Sequence, residues 1–184
     1  MPLLEKTLER LKREGALVEV RRDALTEDPI VGFIAHLTDE LLALSRVSPG
    51  GEADGVSVVF LGDVTRVRWD GADLEGLAAL ARAKEFAMSI PMMDLSSPQL
   101  AIESLAQSCG HVALLSERPD GTLRTAGELD DIDEDCVVIT EFRGFEGAHR
   151  ASILLRADEV TRIDAGAARE SDLDFLNRRA TEAG

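Results

Sequence analysis

The sequence predicts a mainly β protein with helices (α+β), built from two tandem copies of one helix-plus-five-strand unit. Three observations lead there. Asp63-Val64-Thr65-Arg66-Val67 returns, 96 positions on, as Glu159-Val160-Thr161-Arg162-Ile163. The same order of elements surrounds both copies: a helix ending at glycine (Gly15, Gly110), a strand holding glycine (Gly32, Gly127), an acidic turn, then an apolar run. Between turns, apolar and polar residues alternate over short stretches, the period of a strand. A repeated order of elements signals duplication, so the units are read as 1–88 and 97–184, with 89–96 as linker.

Each element has its own justification. Leu4, Leu8 and Leu11 share a helix face over 2–14, and Gly15 ends that helix. Val18 and Val20 alternate with Glu19 and Arg21, which predicts a half-buried strand. Glu27-Asp28-Pro29 turns the chain into a second strand over 30–36, where Gly32 marks a bend. A third strand covers 40–47, Ser48-Pro49-Gly50-Gly51 is a loop, and strands four and five cover 56–61 and 64–69 around Gly62-Asp63. Trp69 is expected to pack on the trailing helix, 74–88. In the second unit Ser97 caps a helix that starts with Pro98. Strands follow near 111–116, 124–129, 136–142, 151–156 and 160–164. Asp172-Leu173-Asp174-Phe175-Leu176 mirrors the trailing helix. In the linker, Ile90-Pro91-Met92-Met93 reads as apolar filler between the units.

Composition narrows the function. Twenty basic residues against 35 acidic ones give a net charge of −15, and neither unit carries the basic stripe that phosphate binding needs. Seventeen arginines against three lysines point to a GC-rich bacterial genome. With no signal peptide and no long apolar stretch, the expectation is a cytoplasmic protein with no membrane or DNA partner.

The chemical motifs stay incomplete. Asp131, Asp133 and Asp135 have the spacing of a calcium loop, but Cys136 stands where glycine is required and Phe142 where glutamate is required. A solvated turn is the better reading. His36, His111 and His149 share no metal spacing, and neither do Cys109 and Cys136. Pro49-Gly50-Gly51 lacks the residues of a phosphate loop. No cofactor, metal or catalytic residue is assigned. Arg66 and Arg162 are the polar pair that the repeat preserves, read as structural ion-pair partners, with an anion site as the sharper alternative.

A helix followed by five short bent strands, with glycine in strand two and a tight turn between strands four and five, resembles the Sm-like family. That resemblance implies two tandem Sm-like five-stranded bent-sheet barrels, each preceded by an N-terminal helix. It also implies oligomers in which strand four of one subunit pairs with strand five of the next. The family's first motif is met by Gly32 and Asp39, with Ala43 in place of asparagine. In the second copy it reads Gly127, Glu134 and Val138. Its second motif, apolar-Arg-Gly, reads Phe60-Leu61-Gly62 and Leu155-Arg156-Ala157. Neither copy keeps both residues that grasp a uracil and its phosphate. The expectation is therefore a non-enzymatic protein-interaction or assembly module that forms a homo-oligomer, dimer or trimer, through strand edges, and that can also engage another protein. The alternatives are an RNA-binding protein with an altered pore, using Asp39, Gly62 and Arg156, and a small-molecule sensor at the cleft between barrels.

Overall fold

A computed structural model describes residues 2–86, 90–142 and 151–167. The elements run α1 (Leu3–Glu14), β1 (Leu17–Arg21), β2 (Ile30–Leu37), β3 (Leu41–Val47), β4 (Ala53–Phe60), β5 (Arg66–Arg68) and α2 (Ala72–Ala83). The second unit runs α3 (Pro98–Cys109), β6 (Val112–Arg118), β7 (Gly121–Ile132), β8 (Cys136–Glu141), β9 (Ser152–Arg156) and β10 (Arg162–Ala165). Short 3-10 turns, Leu61–Asp63 and Ala157–Glu159, lead into β5 and β10. The mirrored trailing segment 172–176 and His149 lie outside the described residues.

The strands form one antiparallel sheet in the order β5-β1-β2-β3-β4-β10-β6-β7-β8-β9. This overturns the expectation of two separate five-stranded barrels. The fourth strand of the first unit hydrogen-bonds across to the fifth strand of the second, with Arg162, Ile163, Asp164 and Ala165 facing Val59, Val58, Ser57 and Val56. An edge strand carries a row of unpaired backbone donors and acceptors. Pairing β4 with β10 satisfies two such rows at once and merges the halves into one open sheet.

The two halves match in their registers. In both units the strand glycine lies where the next strand's backbone comes very close. A Cβ on Gly32 would sit 2.4 Å from the Ser45 carbonyl oxygen, and one on Gly127 would sit 2.0 Å from that of Thr140. Each glycine is followed by a bulge, between Ile34 and His36 and between Leu129 and Asp131. Both first helices end on glycine in the left-handed region, φ 60° at Gly15 and 78° at Gly110, which costs glycine no steric strain.

Helices cover the sheet. Leu8 and Leu11 of α1 are buried with Val18, Val20, Leu42, Leu44 and Val59. Burial of each leucine is worth about 1.5–3 kcal/mol. Ala101, Ile102 and Leu105 of α3 pack on a cluster drawn from both units, including Leu41, Val56 and Val58 of the first and Leu114, Ile139 and Ile163 of the second. Leu74, Ala78 and Ala81 of α2 close a third cluster with Leu17 and Val47. The Ser97 hydroxyl accepts from the Leu100 N–H, as expected of a cap.

Three local expectations need correction. The β1 strand is buried on both faces instead of one, because Arg68 and Arg21 neutralise Glu19 inside the fold. Trp69, 42% exposed, lies under the Arg10 guanidinium of α1, 5.7 Å from its ring centroid, so it meets the leading helix, a contact the sequence did not suggest. Met93 packs on the core, whereas Met92 is 85% exposed, so only one of the linker methionines is filler. Among the described residues, no helix is long and apolar enough to cross a membrane.

Candidate functional site: the inter-unit junction and the two outer strands

The most chemically developed region is the β4–β10 junction. Arg22, just past β1 of the first unit, has a fully buried side chain and forms a two-pronged pair with Glu117 of β6. Nη1 lies 2.5 Å from Oε2 and Nη2 2.7 Å from Oε1. Nη1 also donates to the Thr161 carbonyl at 3.3 Å. The Thr161 hydroxyl donates to Glu117 Oε2 at 3.0 Å, and Arg162 Nη1 stands 3.6 Å from Oε1. A buried charge is tolerable only when paired and hydrogen-bonded, and this carboxylate meets both conditions. Burial pushes the nearby Asp63 carboxyl up, while the Arg22 charge pulls the other way.

Asp164 of β10 is the second buried carboxylate here. It accepts from the Ser57 hydroxyl at 2.6 Å, from Arg162 at 2.7 Å and from Arg46 of β3 at 3.2 Å. Burial alone would raise this carboxyl, but the charges of Arg162 and Arg46 outweigh it and hold Asp164 below its usual value. Burial likewise opposes the charge on Arg162, and the neighbouring carboxylates outweigh that effect too. Gly55 lets the strands meet: its φ is +76°, and a Cβ there would lie 2.3 Å from the Ala165 carbonyl oxygen.

The first unit repeats this polar arrangement at the outer edge. The Thr65 hydroxyl donates to Asp23 Oδ2 at 2.8 Å, and the Asp23 N–H donates back to the same hydroxyl at 3.0 Å. Arg66 pairs with Asp23 at 3.1 Å. Glu117, Thr161 and Arg162 make the matching contacts under cover of the junction. Both members of the repeated arginine pair, Arg66 and Arg162, are therefore engaged by carboxylates. The hydrogen bond from Thr65, helped by Arg66, keeps Asp23 below its usual value.

The residues named for RNA do not form one constellation. Asp39 lies in the exposed β2–β3 turn, close to Gly62, because the Leu61 N–H donates to the Glu40 carbonyl at 2.7 Å. Arg156 ends β9 in the other unit, where Asp158 holds its guanidinium at 2.6 and 2.9 Å. The acidic run around Asp133 is a turn, with the Asp133 carboxylate accepting from the Asp135 and Cys136 N–H groups. Among the described residues, no group of three or more His, Cys, Asp or Glu side chains could hold a metal ion. Burial raises the Cys109 thiol, which makes it a poor nucleophile.

The two outermost of the described strands, β5 and β9, are flanked by exposed apolar residues. Leu154 and Leu123 line a depression along β9 together with Ser116, Arg118 and Arg156. Leu3, Val64, Val67 and Trp69 line another along β5. Sequence reasoning missed the Arg22–Glu117 pair, because Arg22 has no basic counterpart in the repeat: register places Ser116 there. Glu117 was findable, since the matched Thr65 and Thr161 align it with Asp23. Comparison with protein-family models, with curated proteins and with solved structures found no match to any of them.

Proposed function

We propose that this chain is an assembly module, acting in the cytoplasm by binding instead of catalysis, which joins copies of itself through its sheet edges. The observation that carries this reading is the β4–β10 junction. It is a fourth-strand to fifth-strand pairing between two related units, sealed by apolar contacts and buried ion pairs. The outermost strands are a fourth strand, β9, and a fifth strand, β5, and no other described strand pairs with either outer row. One chain thus presents both halves of a contact that it already makes internally. Such an interface is head-to-tail and closes into a ring when its rotation allows. The resemblance to the Sm-like family favours the same reading, and a dimer or a trimer is the expected closed form.

Sedimentation equilibrium on the purified chain tests this. The expected mass is two or three times that of the 19.9 kDa chain; a monomer at tens of micromolar concentration overturns the proposal. Filter binding with short uridine- and adenine-rich oligonucleotides tests it from the other side. Tight binding that fades steeply with salt would replace assembly with RNA recognition.

A further inference from the structure

We infer that copies of this chain join with β9 of one on β5 of the next, and that an ion pair between Glu141 and Arg68 fixes this junction with its charges reversed from the internal one. The inference rests on the assembly reading above and adds the register and the specificity.

The repeat supplies the register. Inside the chain, β4 residues Val58 and Val59 face Ile163 and Arg162 of β10. The registers of β3 on β4 and of β8 on β9 make Val58 equivalent to Leu154 and Val59 to Leu155. The registers of β5 on β1 and of β10 on β6 make Val67 equivalent to Ile163 and Arg68 to Asp164. Transferring the internal junction outward places Leu154 of one copy opposite Val67 of the next, and Ile153 opposite Arg68. The burial of Leu154 fits this placement. It is 67% exposed at a position where Val58 is 1% exposed, so a large apolar residue stands in water where its counterpart is covered.

The charges complete the argument. In the internal junction Arg46 of β3 reaches across β4 to Asp164, 3.2 Å away. Gly32 faces Arg46, and Gly127 faces Glu141, so Glu141 is the counterpart of Arg46. The counterpart of Asp164 is Arg68. Both members have changed sign together, basic–acidic inside and acidic–basic outside, and attraction is preserved. The long side chain has moved to the other strand, so the combined reach is no shorter. Arg68 is already turned to this face, where Glu19 and the exposed Asp73 hold it. The reversal also discriminates. A β9 edge laid on a β10 strand would set Glu141 against Asp164, and a β4 edge laid on β5 would set Arg46 against Arg68. Like charges forced together disfavour both wrong pairings, so first and second units must alternate.

Sedimentation velocity on the wild type, Glu141→Arg, Arg68→Glu and the double variant tests this, with circular dichroism reporting the fold. The expected result is an assembled wild type, at least tenfold weaker association in each single variant, and recovery in the double variant. Singles that assemble like the wild type, or a double that stays dissociated, overturn the charge assignment while leaving assembly standing. A monomeric wild type overturns both. Arg68→Glu removes contacts with Glu19 and Asp73, so a second measurement avoids it. On a Cys109→Ser, Cys136→Ser background, Leu154→Cys with Val67→Cys gives reducible multimers, and Leu154→Cys with Arg66→Cys does not. Equal cross-linking by the two pairs overturns the register.

Discussion

Replacing Arg22 with methionine removes the basic half of the most deeply buried ion pair among the described residues. The substitution keeps an unbranched apolar stem, so the volume lost is small. The cost comes from Glu117, only 3% exposed, which loses both hydrogen bonds from the guanidinium. Breaking a buried pair by removing one partner costs about 3–5 kcal/mol. Glu117 keeps the Thr161 hydroxyl and the more distant Arg162, which sets the expected loss near the lower end, about 3 kcal/mol. Replacing Glu117 as well, by methionine, removes the stranded charge, so the double variant should recover much of that loss. Urea unfolding followed by circular dichroism at fixed protein concentration measures all three. The pair joins the two units, so the single variant should also broaden or split the transition. A loss below about 1 kcal/mol, within the range of an exposed ion pair, with one sharp transition, would refute the claim that this contact locks the halves.

Three other outcomes follow from the geometry. Asp164 titrates below its usual value in the fold, so it stabilises the protein above about pH 4 and that contribution is lost as pH falls through its lowered value. Asp164→Asn should therefore be less stable than wild type at pH 7, and the gap in urea midpoint should shrink below pH 4. Gly127→Ala forces a Cβ to within 2.0 Å of the Thr140 carbonyl oxygen, so the strands must part; the thermal midpoint should drop well below that of Gly62→Ala, where a Cβ meets nothing within 4 Å. Ser97→Ala removes the cap of α3 and should cost about 1 kcal/mol in the same urea assay.

Much of the architecture was legible because local patterns report local structure. Alternating residues and turn signals placed ten strands, and a glycine marked the stop of α1 and of α3, whereas α2 ends at Ala83, short of the expected 88, with no glycine there. The matching of Gly32 with Gly127 was correct, although the role of each glycine is close backbone approach as much as bending. What the pattern could not carry was closure. The residues of β4 read the same whether the strand ends a barrel or continues a sheet, because periodicity specifies faces and says nothing of which neighbour an edge receives. The burial of Glu19, Glu117 and Asp164 was hidden for a related reason. A carboxylate in a strand reads as solvent-facing until an arginine far along the chain, such as Arg22 for Glu117, is brought beside it. The repeated Arg66 and Arg162 both lie against carboxylates, but their unequal burial follows from the junction and from nothing local.

That inequality gives the molecule an internal standard. Asp23, Thr65 and Arg66 sit in water, while Glu117, Thr161 and Arg162 make the same contacts in a nearly dry setting, within one polypeptide under one set of conditions. Thr65→Ala and Thr161→Ala remove the same hydroxyl from the two sites. The difference in their unfolding free energies measures what the junction, through burial and the added Arg22 contact, contributes to one hydrogen-bonded triad, with temperature and salt held in common.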